Sequence, residues 1–316
     1  HPEEPYWRTS IGACAMNLAP DEMQIEIGET ARGFLADRFP ITRVRKLAEG
    51  GQAIDEEGWS ACAEMGWLSM LVPEAEDGLG LGTAEAVMVF REIGRHLTPG
   101  PLRSTMLAAL LAALVGEREL ARSLSWGAMK AGLLVGDLAI DAGAGDLVLV
   151  IGREECALYE IGSAENVRAM DPGVRLSRVT LGAKRAAIGR NDAFLATAQI
   201  IVSAELLGVL EAVRDMSAGY AQTREQFGKP IGSFQAVKHR CADMAVAAYA
   251  VQSQLFMAAV RLDADLDDAL FHASSAHVLA INFTKRSTAD NIQNHGGIGV
   301  TEEHDCHLYL KRALLL

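Results

Sequence analysis

The side chains with the most chemistry to offer meet at one turn near the middle of the chain. Arg224, Gln226 and Phe227 stand close together in YAQTREQFGKPIGSFQAVKHRCADM, residues 220–244. A guanidinium can grip two phosphate oxygens in a fork, and an aromatic face can cover a ring, so the turn suits a flat anionic ligand. The same residues would equally serve an ordinary helical hairpin whose Arg caps a helix C-terminus. A second stretch, QNHGGIG, offers Gln293, Gly296 and Gly297. A bare Gly-Gly backbone lets a ligand come close, though GGIG alone is just as readily a helix end and a turn. Glu303, His304, Cys306 and His307 tempt one toward a metal. Their spacing fits no common zinc pattern, and one helix turn could supply only His304 and His307, so they read as surface and interface residues and no metal is expected. GLGLG, residues 78–82, is not GxGxxG and follows no strand of a βαβ unit, so it reads as a turn before a helix. No GxSxG and no locally supported Cys/His nucleophile pattern occurs.

The elements that must position these residues are mostly helical. One helical pattern stops at the Arg224 turn, and a loop carries Gly228, Pro230 and Gly232. A second pattern follows Ser233, the expected N-cap, through Phe234, Val237, Cys241, Met244 and Ala248. From Pro20 to about Leu120 the pattern is helical throughout. Pro20-Asp21 opens one helix, Asp55 caps another that ends at Gly66, and Thr83 is expected to cap a third that ends at Gly94. Between about Gly127 and Gly189, the runs GLLVGDLAI, DLVLVIG, CALYEIG and VRLSRVTLG are strand-sized and bounded by turn residues, which predicts a small antiparallel β domain. Helices return at about Asp192, with later ones expected from Phe234, Asp267 and Thr301. The last would carry Glu302 and Glu303 in its first turn and Lys311 and Arg312 in its last, matching the helix dipole. The chain thus divides into an N-terminal helical domain (16–125), a reduced middle β domain (126–190) and a C-terminal four-helix-bundle domain (191–316): mainly α with a small β part.

Half of the 316 residues are hydrophobic, enough for two or three domains with a large core. A net charge of −12 argues against nucleic acid and against an anionic membrane surface, but not against an anionic ligand held by a local basic cluster. Cys14, Cys62, Cys156, Cys241 and Cys306 are odd in number, scattered and without CxxC, which reads as a reduced, cytoplasmic chain. The longest uninterrupted apolar run, residues 106–115, is too short to cross a bilayer and reads as a core helix. Residues 1–15 fit poorly with the remainder of the chain, and Met16 has the look of a chain start.

REQFGKPIGSFQAVKHRCADM resembles the segment that flavin-dependent acyl-CoA dehydrogenases carry in their C-terminal helical domain. Two further stretches agree in the family's order: LVPEAEDGLGLGTAEAVMVFREIGRHLTPGPL, residues 71–102, and QNHGGIGVTEEHDCHLYLKRA, residues 293–313. The resemblance implies FAD as cofactor, an acyl-CoA substrate, and an electron-transfer flavoprotein or similar acceptor. It gives Arg224, Gln226 and Phe227 to the pyrophosphate and adenosine half of FAD, with Gln293, Gly296 and Gly297 approaching the same half. In the family these groups reach across a dimer interface to a nucleotide held mainly by the neighbouring subunit. The GLGLG loop would lie near the acyl pocket.

Three departures from the family's pattern carry weight. The middle segment has no Thr-Glu-Pro-like loop and no G-S-D, so it is not expected to hold an isoalloxazine ring by itself. Gln226 stands where many relatives have a small hydroxyl residue. The family's chemistry needs a carboxylate to remove the α-proton while the β-hydrogen leaves as hydride to flavin. Relatives place that base either beyond Leu316 or on the helix before the Arg turn, where this sequence has Ala198 followed by Gln199. Glu205 and Glu211 share that helix at other angles. HGGIGVTEEHDCHLYLKRA particularly resembles the α2β2 enzymes of bacterial steroid side-chain degradation, whose sites are divided between two chain types. The resulting expectation is a subunit that clamps the FAD nucleotide, with flavin-ring site and base on a second acyl-CoA dehydrogenase-like chain. The alternatives are a self-sufficient homotetramer with its base beyond Leu316, and a flavin-free scaffold subunit.

Overall fold

A computed structural model describes residues 18–49 and 55–316; Met16, Cys14 and the rest of residues 1–15 lie outside them. Helix α1 (Glu22–Arg38) opens on a capping box: Asp21 accepts the Gln24 amide at 2.8 Å while the Gln24 side chain accepts the Asp21 N–H. After α2 (Ile41–Glu49), α3 (Glu56–Glu64) starts at Asp55, which accepts the Gly58 N–H at 2.7 Å. Helices α4 (Thr83–Arg95), α5 (Leu102–Leu114) and α6 (Arg118–Ser125) complete the N-terminal part. Thr83 does not cap α4 but is its first helical residue. The carboxylate of Asp263, far along the chain, accepts the Thr83 and Ala84 amides at 2.7 and 3.0 Å. A full negative charge taking two unpaired N–H groups displaces the local hydroxyl from that task.

Strands β1 (Ala131–Val135), β2 (Leu138–Ile140), β3 (Leu147–Ile151), β4 (Glu155–Val167) and β5 (Leu176–Gly189) close into a barrel in the order β1-β2-β5-β4-β3. The sheet is therefore not purely antiparallel: β1 and β3 run parallel, with Ala131 opposite Leu147. Directions cannot alternate all the way round an odd-stranded ring, so one neighbouring pair must be parallel. Closure also removes the exposed strand edges a small sheet would otherwise present.

Helix α7 (Asp192–Thr223) starts at Asn191, whose side chain accepts the Phe194 N–H at 2.9 Å. It packs with α8 (Gln235–Asp263) and α9 (Ala269–His295), and α10 (Cys306–Leu315) closes the bundle. By length and composition α7 and α8 could each cross a bilayer, unlike the run at 106–115, but 78 % of the apolar window of α7 is buried inside the protein. Ile200, Ile201, Leu206, Leu207, Leu210 and Val213 are fully buried, so α7 is the central core helix. Glycines bring α4 against it: a Cβ on Gly94 would lie 2.0 Å from the Glu205 carbonyl oxygen, and one on Gly208 would lie 1.8 Å from that of Arg91. Beside this crossing Arg91 grips Glu211 with two bonds of 2.6 and 2.7 Å.

Other helix starts also differ from expectation. Ser233 closes a 3-10 turn (Ile231–Ser233), and Phe234 occupies the N-cap position of α8. Asp268 rather than Asp267 precedes α9. Helix α10 begins at Cys306, so Glu302 and Glu303 sit in the preceding turn and cannot complement its dipole; residues 301–305 turn the chain instead. Arg312 is buried, with Nε 2.6 Å from the Asp171 carboxylate of the β4–β5 connection.

Candidate functional site

The Arg224 turn is a miniature hairpin between α7 and α8, β6 (Glu225–Gln226) against β7 (Lys229–Pro230). Its two central residues, Phe227 and Gly228, have φ of 54° and 75°, the double positive φ of a primed turn. Glycine adopts this freely, whereas a phenylalanine in the left-handed region costs about 1–2 kcal/mol. Phe227 is nonetheless 91 % exposed, its ring set edge-to-face against Phe234 at 6.0 Å between ring centroids. Strain held by an outward aromatic has no reward within the chain's own packing. Arg224 stands at the C-cap of α7, where its N–H donates to the Tyr220 carbonyl and its own carbonyl accepts the Ile231 N–H, both at 2.8 Å. Its side chain is exposed and makes no ion pair among the described residues. Gln226 is exposed too, its amide donating to the Glu225 carbonyl at 2.8 Å.

The second motif closes α9. Gln293 is exposed on its last turn, and its carbonyl accepts the N–H of Gly296, the C-cap residue with φ of 64°. A Cβ built on Gly296 or Gly297 meets nothing within 4 Å, whereas one on Gly299 would lie 2.6 Å from the Ile292 carbonyl oxygen. Gly299 is thus required by packing. Gly296 is required by its backbone angle, and Gly297 leaves bare peptide open to the outside for no internal reason. The structure brings the roots of both motifs together. Tyr220, one turn before Arg224, stacks on His295 at 4.2 Å, and Arg240 of α8 donates to Asn294 at 2.8 Å.

His295 is the residue that sequence reasoning left out. It joins His304 and Cys306, one potential ligand atom from each lying within 4.8 Å of the others, while His307 lines a separate cavity with Arg45, Asp171 and Lys311. Burial holds the His295 imidazolium down and pushes the Cys306 thiol up to about 12. Only the helix–loop–helix topology reveals this grouping, because His295 belongs to the preceding helix.

Ala198 and Gln199 line a cavity of about 240 Å³ with Leu107, Leu133, Val202 and His277. Gln199 accepts the Ser274 hydroxyl at 2.8 Å, and burial keeps His277 toward its neutral form. The buried carboxylates of α7 are already engaged: Glu205 accepts from Arg103 at 2.7 Å and Glu211 from Arg91. Burial pushes the Glu205 carboxyl up, and Arg103 opposes that push.

Comparison with known proteins gives the same outline. The sequence matches the family described as acyl-CoA dehydrogenase, N-terminal domain, over residues 21–123, and acyl-CoA dehydrogenase, C-terminal domain, over residues 191–316. It is 35 % identical to the acyl-CoA dehydrogenase IpdE2 of Mycobacterium tuberculosis over 94 % of this chain and 92 % of that one. Among solved structures it resembles a chain of the ChsE4–ChsE5 complex from Mycobacterium tuberculosis, with a TM-score of 0.81, 27 % identity, and coverage of 94 % and 93 %. A chain of the Tcur3481–Tcur3483 steroid ACAD G363A variant gives a TM-score of 0.78 at 26 % identity, covering 92 % of each chain.

Proposed function

The chain belongs to the acyl-CoA dehydrogenase family, and from that premise we propose that it is the nucleotide-clamping subunit of a heteromeric, FAD-dependent acyl-CoA dehydrogenase. A partner chain supplies the flavin-ring site, the catalytic base and most of the acyl-CoA site. The observation that carries this reading is a contrast within one chain. On the helix before the Arg turn, where relatives can carry a base, this chain has Ala198, while the Arg224 and Phe227 side chains and the open Gly296–Gly297 peptide face outward. That exposed set fits the diphosphate and adenosine half of a dinucleotide.

FAD, when bound, supplies the hydride acceptor for the α,β-dehydrogenation. This chain's residues bind and orient. Arg224 offers a charge-assisted fork to the diphosphate, Phe227 an aromatic face, and the glycine pair unobstructed backbone, with Gln226 and Gln293 as flanking polar contacts. The likeness to a two-chain complex and to a steroid enzyme favours an α2β2 assembly and a steroid side-chain CoA thioester as substrate. Electrons would pass to an electron-transfer flavoprotein or similar acceptor. The free thiols Cys62, Cys156, Cys241 and Cys306 suit a cytoplasmic setting.

Arg224→Ala in the assembled two-chain enzyme provides the test. Losing a charge-assisted phosphate contact costs about 1.5–3 kcal/mol of FAD binding, read by flavin release on dilution. Unchanged flavin affinity would leave this chain a scaffold and overturn the clamp.

A further inference from the structure

We propose that His295, His304 and Cys306 form a binding site for a thiophilic cation, zinc foremost, at the base of the glycine loop. The three side chains come from the end of α9, the turn before α10 and the first residue of α10, and their ligand atoms converge within 4.8 Å. Two imidazoles and a thiolate are the donor set that selects zinc over hard cations, and three protein ligands leave one position open. The surroundings suit that use. His295 Nδ1 lies 2.8 Å from the Asn291 carbonyl, which fixes Nδ1 as the donor and leaves the lone pair on Nε2. The Asn291 side-chain amide donates to Cys306 Sγ at 3.3 Å, a bond that a metal-bound thiolate accepts more strongly than a thiol. The Nδ1 of His304 takes only a long bond of 3.3 Å from the Cys306 N–H, so that bond yields readily to a cation. Met216 Sδ, 3.6 Å from Cys306 Sγ, adds a second soft sulfur to the surroundings.

His295 and Cys306 are buried while His304 is partly exposed, which gives the cation a way in. On binding, Cys306 gives its thiol proton to solvent and the cation exchanges water for sulfur and nitrogen. The result is a staple between two helices across residues 296–305. Its effect on the nucleotide, through Gly296 and Gly297, rests on the clamp reading; the binding itself does not.

The full chain, stripped of metal, is titrated with Co2+ as a spectroscopic stand-in. One equivalent should give a thiolate-to-cobalt charge-transfer band with tetrahedral ligand-field intensity. Cys306→Ser should abolish the band, and His304→Ala, at a partly exposed position, should weaken binding at least about tenfold. His307→Ala, whose ring faces another cavity, should leave the titration unchanged, and circular dichroism checks that each variant is folded. A wild-type chain without the band, a band that survives Cys306→Ser, or His304→Ala binding as tightly as wild type overturns the site. Flavin release from the Arg224→Ala enzyme is read separately, so either idea can fall without the other.

Discussion

Phe227 shows how a residue type can be legible while its conformation is not. The sequence places an aromatic beside Arg224 and Gly228, but the left-handed backbone under it is visible only in the folded hairpin. Gly296 and Gly297 divide similarly, since a double glycine announces a turn but not that the space above it is empty. Asp141 gave no signal at all. Its backbone is also left-handed, with φ of 57°, and its carboxylate accepts the Arg175 N–H at 2.9 Å. Burial pushes its pKa up to about 6, against the opposing pull of that bond and of Arg312. An unfolded aspartate titrates at ~3.9, so the stability this group permits is complete below about pH 4 and is lost as pH rises through about 6. Asparagine keeps the acceptor and tolerates the left-handed region. Asp141→Asn should therefore stabilise the chain at pH 7 by about 1–2 kcal/mol and not at pH 4. Urea denaturation at both values checks this, and an equal gain at both would exclude titration of Asp141 as its source.

Among the elements, the starts that could be read from sequence are those whose caps are local. Asp21, Asp55 and Asn191 each accept an amide three residues on. The start of α4 could not be read, because its cap, Asp263, stands 180 residues away. Thr83 looked sufficient only while the long-range contact was invisible. Asp263→Ala should strip two amide partners at once and cost about 1–2 kcal/mol in chemical denaturation. A loss under about 0.5 kcal/mol would mean that water serves the α4 terminus equally well. The strands were legible from their apolar runs and turns, but the parallel β1–β3 contact comes from ring closure, which no single run encodes. Likewise Glu302 and Glu303 looked like first-turn acids until the turn at 301–305 moved the start of α10 to Cys306.

At the scale of the whole molecule, the family was legible because three motif stretches fall in the family's order, and each lies wholly within one of the two matched family segments. The His295–His304–Cys306 grouping was not, since it forms only when two helices fold back on each other. The clamp reading predicts that the chain purified alone carries little or no flavin. Co-expression with its partner should give a yellow complex with fewer flavins than chains. A flavin-saturated, fully active oligomer of this chain alone would sink that reading. The junction of α4 with α7 has a further consequence for how such chains diversify. Gly94 and Gly208 leave no gap to be shimmed, and Arg91 latches onto Glu211 beside them. A chimaera taking its first helices from one relative and its bundle from another would force mismatched backbones together unless both glycines and the latch shared a parent. Parts that look interchangeable along the sequence are thus bound to be inherited together.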